Sequence, residues 1–257
     1  MTQPIRHEVT LKKVVLHIPG MEALEPHTSE FAAADGNPLP LRTYHPAVAD
    51  GPLPAVVLVE GYADPRFAPF LGCSFIDMEW TISVAQLIAA SGMVAVTYAN
   101  RAPADDLGAL LSHLRSNGRA LGIDSSRVGL WATSGNGPVA VSASPSVACI
   151  VLSNTYTCDL DGATHVADAA RTFGFAVPPD CVLPRVPTFV IRSGNDEMPG
   201  LNESLDRFVG QALATGAPLA VVNHPDGPHS FDLFHDSELT RQILRQALTF
   251  LRAHLAP

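Results

Sequence analysis

The chain has 257 residues and a formal net charge of −9, with 47% hydrophobic and 16% charged residues. This length and composition favour one globular α/β domain and exclude an intrinsically disordered chain. The acidic balance argues against a surface for nucleic acid or anionic lipid. We therefore expect a single domain over residues 1–257, with no nucleic-acid partner and no membrane partner.

The N-terminal sequence and the cysteines indicate the compartment. MTQPIRHEVTLKKVVLHIPG lacks the basic start, long apolar run and cleavage site of a signal peptide, and no later stretch approaches bilayer-spanning length. Widely spaced cysteines without a CxxC pair favour free thiols over a disulfide or metal role; they are Cys73, Cys149, Cys158 and Cys181. We predict a cytoplasmic protein, with a secreted chain lacking its signal peptide as the alternative.

The first elements in chain order are extended. Within residues 1–50, Asp35-Gly36-Asn37 is a turn signal between two strand-like runs. This pattern predicts antiparallel N-terminal strands.

From residue 55 onward, apolar runs of strand length alternate with longer segments of helical period. Near-continuous apolar runs are typical of strands buried on both faces of a parallel sheet. These runs cover residues 55–59, 93–98, 128–132, 147–152, 188–192 and 217–222. The predicted helices are Glu79–Ser91, Ala104–Leu121, Asn202–Thr215 and Ser237–Leu255. The alternation predicts a doubly wound, mostly parallel sheet flanked by helices, with ligands bound beyond the carboxyl ends of its strands.

Ser134 follows the predicted strand at 128–132 and precedes a segment of small residues. A serine on a sharp strand–turn–helix bend, usually spelled G-x-S-x-G, is the nucleophile elbow of many hydrolases. Here the stretch reads A-T-S-G-N, with Gly137 one place late. Ala132 is an acceptable small residue, whereas Asn136 is not small. Taken alone, a serine in such a loop is more often structural than a nucleophile.

Two later strand ends offer catalytic partners for this serine. Asp196 follows the run at 188–192, and His229 follows the run at 217–222. The elbow fold places its acid and then its histidine in this chain order. We predict that Ser134 attacks, that His229 accepts and later returns the proton, and that Asp196 orients the imidazole.

Other assignments stay open at this stage. Glu197 is an alternative acid, and Asp232 is an alternative partner for the histidine. The three histidines of this region could suggest a metal site; they are His224, His229 and His235. The sequence has no HxxxH spacing and no paired carboxylates there, which argues against such a site. We predict no metal and no organic cofactor.

Five segments carry a resemblance to the α/β-hydrolase superfamily and, within it, to the dienelactone hydrolase-like esterases. They are AVVLVEGYAD (55–64), ASGMVAVTY (90–98), VGLWATSGNG (128–137), VIRSGNDEMPGLNESLDRF (190–208) and NHPDGPHSFDL (223–233). The resemblance covers most of residues 30–255. It implies the α/β-hydrolase fold and carboxylic-ester hydrolysis. It also matches His229 to the family's catalytic histidine and Asp196 to its acid.

The developing negative charge of such a reaction needs two backbone N–H donors. We expect one from Gly135 and the other from Tyr62, in the loop after residues 55–59. Gly61 would allow the close approach of the backbone. Glu60 precedes this loop, and a carboxylate at the end of a buried strand needs a partner or a proton. Dienelactone hydrolases resemble the chain in having a glutamate there, but they pair it with a cysteine nucleophile. A role in the site and a salt bridge, for which Arg101 is a candidate, therefore both stay open.

The remaining predictions concern the substrate. Residues 64–80 are predicted to be irregular and to line the pocket through Phe67, Phe70 and Trp80, beside Asn136, with core packing as the alternative. Residues 154–185 are predicted to be a short insertion with a small helix, too short for a large lid. We expect a serine hydrolase of short-chain esters or lactones. A related acyl-transfer enzyme (thioesterase or peptidase), a non-catalytic ligand-binding protein of this fold and a homodimer stay open.

Overall fold

The computed structural model describes residues 6–48, 50–179 and 181–256. Residues 1–5 and 49 of the predicted N-terminal segment, residue 180 of the predicted insertion and residue 257 lie outside this description. Within the described residues eight strands form one sheet: β1 (Pro26–Ala32), β2 (Pro38–Tyr44), β3 (Leu53–Val59), β4 (Val94–Tyr98), β5 (Ile123–Ser134), β6 (Cys149–Thr155), β7 (Thr188–Asn195) and β8 (Leu219–Pro228). Their spatial order is β1-β2-β4-β3-β5-β6-β7-β8.

The sheet is mostly parallel, with its antiparallel part at the N-terminal edge. β1 pairs with β2 antiparallel, and β2 pairs with β4 antiparallel. Every pairing from β4 through β8 is parallel. The turn between β1 and β2 is held by Asp35, whose Oδ1 accepts the Asn37 N–H at 2.9 Å. The predicted hairpin and the predicted doubly wound sheet are therefore confirmed.

Eight α-helices connect these strands within the described residues. They are α1 (Asp64–Leu71), α2 (Glu79–Ala90), α3 (Pro103–Asn117), α4 (Gly137–Ser142), α5 (Val166–Phe173), α6 (Leu201–Ala214), α7 (Phe231–Phe234) and α8 (Glu238–Leu255). The four predicted helices are present with ends shifted by at most four residues, and α5 is the small helix expected in the insertion. No helix of the described part of the chain combines the length and the apolar character needed to cross a bilayer.

The prediction of an irregular segment at residues 64–80 is wrong. Most of it is helical, as α1, a 3₁₀ turn at Phe75–Asp77 and the start of α2. Pro65 in the first turn of α1 has a backbone angle suited to a helix start, and Gly72 ends the helix in the left-handed conformation, with φ +75°. These two signals outweigh the irregular apolar pattern of the segment.

The buried core lies on both faces of the sheet. Along β3, Ala55, Val57 and Val59 face a layer that contains α3, α4 and α6. The alternate residues Val56 and Leu58 face a layer that contains α2 and α8. Because both faces are covered, this strand is apolar at successive positions, as expected of a central parallel strand.

A disulfide joins Cys158 and Cys181 in the connection between β6 and β7, with their Cα atoms 5.5 Å apart. The prediction of free thiols is therefore wrong for this pair and holds for Cys73 and Cys149. The two bonded residues are 23 positions apart in the sequence. No local sequence pattern indicates this pairing, because the two cysteines come together only when the connection folds.

The start of α8 provides a test of this fold. Ser237 caps the helix, and its Oγ accepts the N–H of the buried Thr240 at 3.1 Å. We expect Ser237→Ala to lower the free energy of unfolding by about 1 kcal/mol, measured by urea denaturation. Ser112→Ala, in the exposed middle of α3, is the control and should leave stability nearly unchanged. Equal losses in both variants would contradict the capping role.

Candidate active site

Ser134 lies at a sharp bend between β5 and α4. It is the last residue of β5, and α4 begins three residues later at Gly137. Its φ is +54°, in the left-handed region that a serine rarely adopts. Such a conformation costs on the order of 1–3 kcal/mol and persists only where the surrounding packing holds it. The bend therefore has the geometry of a nucleophile elbow.

The backbone around the bend is crowded. A Cβ on Gly61 would lie 2.7 Å from the Cβ of Ser134, and one on Gly135 would lie 2.3 Å from the carbonyl oxygen of Gly61. A Cβ on Gly137 would lie 2.0 Å from the carbonyl oxygen of Tyr156. The late glycine of the imperfect motif therefore occupies a position where no side chain fits.

Asn136 fits at the crowded bend because its side-chain amide is hydrogen-bonded on both sides. The residue is fully buried. Its Nδ2 donates to the carbonyl oxygen of Glu60 at 2.7 Å, and its Oδ1 accepts the N–H of Ala176 at 3.5 Å. The side chain thus ties the bend to the end of β3 and to the insertion. It is adjacent to the site but does not line the cavity described below.

The structure brings the three predicted triad residues into one hydrogen-bonded chain. Ser134 Oγ lies 3.0 Å from His229 Nε2, and His229 Nδ1 lies 2.8 Å from Asp196 Oδ2. The Asp196 side chain is completely buried, while that of His229 is 24% exposed. The other carboxylate oxygen of Asp196 accepts the Met198 N–H at 3.0 Å. The three residues follow or end β5, β7 and β8 at the same edge of the sheet.

The alternative acids do not hydrogen-bond His229, which bonds Asp196. Glu197 is exposed. Asp232 is buried, and its Oδ2 accepts the Trp80 Nε1–H at 2.6 Å. His224 and His235 contact each other, 3.1 Å between ring nitrogens, while His229 bonds Asp196 instead. Across residues 6–48, 50–179 and 181–256 no group of three or more His, Cys, Asp or Glu side chains is arranged to hold a metal ion.

Two backbone donors face the bend. The hydrogen bonds within the described part of the chain leave the N–H groups of Tyr62 and Gly135 without a protein acceptor. The Tyr62 side chain also reaches the site, which the sequence did not indicate: its hydroxyl lies 3.2 Å from Ser134 Oγ. Burial raises the pKa of Tyr62, so this hydroxyl keeps its proton well into the alkaline range.

Glu60 is a neutral carboxylic acid by its hydrogen bonds. The Thr81 hydroxyl lies 2.7 Å from Glu60 Oε1 and 2.7 Å from the carbonyl oxygen of Phe75. The hydroxyl has one hydrogen, so both contacts are satisfied only when Glu60 is protonated and donates to Thr81 while Thr81 donates to Phe75. Burial raises the pKa of Glu60 to about 8. Arg101 pairs with Asp35 instead, at 2.9 Å, so the proposed salt bridge to Glu60 is wrong.

Ser134 and His229 open onto a cavity of about 320 Å³. Among the predicted pocket residues, Phe67, Trp80, Glu60 and Gly61 line it.

The prediction is wrong for Phe70, which is 77% exposed. Phe67 and Leu71, four residues apart on one face of α1, line the cavity, whereas Phe70 does not.

Several lining residues were not identified from the sequence, among them Asn154 and Ser230. Asn154, near the end of β6, has φ +39°, and Ser230, just after the histidine, has φ +55°. In the amide orientation that satisfies both groups, Asn154 Oδ1 accepts the Ser230 N–H at 2.6 Å. The signal was available, because Asn154 is a polar residue at the end of the strand between those carrying Ser134 and Asp196.

The protonation of Glu60 provides a test. The folded protein retains a proton up to about pH 8 that the unfolded chain releases near the ordinary value of 4.5. Stability should therefore fall as pH rises through this interval. Glu60→Gln keeps the shape and can donate its amide N–H to Thr81. We expect its melting temperature, relative to the parent protein, to increase from pH 5 to pH 8.5 in calorimetry.

Glu30→Gln, on the exposed side of β1, is the matched control and should show no such trend. If the difference in melting temperature between Glu60→Gln and the parent stays constant with pH, Glu60 is not protonated in the folded protein.

Comparisons with known proteins identify the fold. No protein-family model and no curated protein sequence matches the chain. An α/β hydrolase from the metagenome of Lake Arreo superposes with a TM-score of 0.70 at 20% identity, covering 91% of this chain and 83% of that one. Esterase LipW from Mycobacterium marinum gives 0.72 at 18% identity, with 91% and 83% covered. The carboxylesterase EstE1, from a metagenomic library, gives 0.72 at 19% identity, with 95% and 92% covered. The chain therefore has the α/β-hydrolase fold.

Proposed function

We propose that the protein is a serine hydrolase of carboxylic esters that uses Ser134, His229 and Asp196. The observation that carries the proposal is the hydrogen-bonded chain from Ser134 Oγ through His229 to the buried Asp196, at the mouth of a cavity. A serine hydroxyl becomes a useful nucleophile only when a base takes its proton as it attacks. The left-handed backbone of Ser134 further supports the proposal, because strained non-glycine residues are concentrated at active sites.

The reaction follows from these positions. Ser134 Oγ attacks the ester carbonyl carbon while its proton passes to His229 Nε2, and Asp196 stabilises the imidazolium through Nδ1. The N–H groups of Tyr62 and Gly135 donate to the oxyanion of the tetrahedral intermediate. His229 then protonates the departing alcohol, which leaves an acyl group on Ser134. Water, deprotonated by His229, releases the carboxylic acid and restores the serine.

The substrate is proposed to be a small ester or lactone. The cavity of about 320 Å³ is at the small end of ligand sites and has mainly apolar walls, including Phe67, Phe75 and Met78. The sequence segments that resemble dienelactone hydrolase-like esterases support this narrower class. The esterases of similar fold support ester hydrolysis in general.

Covalent labelling tests the nucleophile. We expect a fluorophosphonate probe to label the protein and Ser134→Ala to abolish labelling, measured by intact-protein mass spectrometry. Ser112→Ala is the control and should label like the parent. Continued labelling of Ser134→Ala would overturn the assignment, and an unlabelled parent that still binds esters would identify a ligand-binding protein.

Chain-length dependence tests the proposed substrate size. We expect kcat/KM for p-nitrophenyl esters to be highest for short acyl groups and to fall toward laurate, because the cavity cannot enclose a long chain. Several lactones belong in the same panel, with Ser134→Ala as the blank. A kcat/KM that rises steadily to laurate would contradict a small substrate.

A further inference from the structure

We propose that the cavity selects esters that carry an organic ammonium group. This inference rests on the proposed function and specifies its substrate class. It depends on three features of the cavity: the charges of the residues that line it, the lack of ion-pair partners for its carboxyl groups among the described residues, and its aromatic walls.

The ionisable lining of the cavity is acidic, apart from the catalytic histidine and the Tyr62 phenol. Glu60 and Asp232 both line it, and none of the described residues that line it is lysine or arginine. Lys12 lies near the rim, with Nζ 5.3 Å from the ring centroid of Phe234, but it is exposed and outside the lining. An anionic substrate would therefore meet two carboxyl groups and no permanent cation. A carboxylate-bearing lactone fits this cavity poorly.

The two carboxyl groups are held by neutral groups at the start of α2. Asp232 accepts from Trp80 Nε1, and Glu60 bonds the hydroxyl of the next residue, Thr81. Neither carboxyl has an ion-pair partner among the described residues. Burial raises the pKa of both. A cation in the cavity would compensate the charge that burial disfavours, so cation binding and carboxyl ionisation would favour each other.

The groups that face these carboxyls do not supply that charge. Asp64 at the start of α1 and Asp232 act on Glu60, and Glu60 in turn acts on the Tyr98 phenol at the end of β4. His229 faces Asp232 and is shared with Asp196.

Aromatic rings line the same cavity. Tyr62 and Phe67 stack with ring centroids 4.3 Å apart, and Phe75 lies 6.1 Å from Phe67. Trp80 also contributes to the lining. Aromatic faces attract ammonium groups because the negative face of the ring meets a weakly hydrated cation. Carboxyl groups beside aromatic walls are therefore suited to an ammonium group.

Two acetate esters of matched shape test this selection. 2-(Trimethylammonio)ethyl acetate and 3,3-dimethylbutyl acetate differ in having N⁺ or carbon at the branch point. At pH 8 and physiological ionic strength we expect kcat/KM to favour the cationic ester by about tenfold, the factor equivalent to a single modest cation contact. Equal values, or a preference for the neutral ester, would overturn the inference and leave the proposed ester hydrolysis standing.

Binding separates the inference from catalysis. Ser134→Ala should bind the cationic ester more tightly than the neutral one by a similar factor in isothermal titration calorimetry. Tighter cation binding without turnover in the parent would support the cavity chemistry while overturning the proposed hydrolysis. Equal binding of the two esters would overturn the inference whatever the activity.

Variants of the carboxyls identify the source of the selection. Glu60→Gln and Asp232→Asn should each reduce the preference for the cationic ester severalfold, and Glu30→Gln should keep the parent preference because it changes only the net charge. The parent preference should increase from pH 6.5 to pH 8.5 as Glu60 ionises. A preference unchanged in both cavity variants and constant with pH would overturn the inference.

Discussion

The close approach of the Gly61 backbone to the bend at Ser134 is the contact on which the rest of the site depends. No Cβ fits at Gly61 or Gly135, so the end of β3 and the start of α4 pack directly against each other. This packing holds Ser134 in the left-handed region. It also brings the Tyr62 loop beside the nucleophile, where the Tyr62 hydroxyl lies 3.2 Å from Ser134 Oγ. Asn136 reinforces the contact through the carbonyl oxygen of Glu60.

The site places carboxyl groups in two different environments near the same serine. Asp196 is completely buried and is satisfied by a histidine and a backbone N–H. Glu60 is equally buried and has a single hydroxyl as its partner, which favours its protonated form. Carboxyls separated in this way by their surroundings can take different roles in one reaction. In the proposed reaction Asp196 orients His229, and in the proposed substrate selection Glu60 supplies charge to the cavity.

The different surroundings of Asp196 and Glu60 bear on the resemblance to dienelactone hydrolase-like esterases. The glutamate at the end of β3 is shared with those enzymes, while the nucleophile here is the serine of the proposed triad. With Asp232 as a second buried carboxyl and an aromatic wall, the same glutamate lies in a cavity suited to a cationic ester.

Much of the molecule was determined by the sequence itself. The β-branched runs, the helical periods and the Asp35-Gly36-Asn37 turn predicted the sheet and its flanking helices, because local periodicity reflects which faces are buried. The strand ends also predicted Ser134, Asp196 and His229, because parallel strands bring their carboxyl ends to one edge.

Only the tertiary structure decided the contacts between residues distant in the chain. These include the disulfide of Cys158 with Cys181, the pairing of Arg101 with Asp35, and the outward position of Phe70. The proton on Glu60 was likewise decided by the tertiary structure, because it follows from the burial of Glu60 and from the position of Thr81. Such contacts depend on how the finished elements pack, and local sequence patterns do not specify that packing.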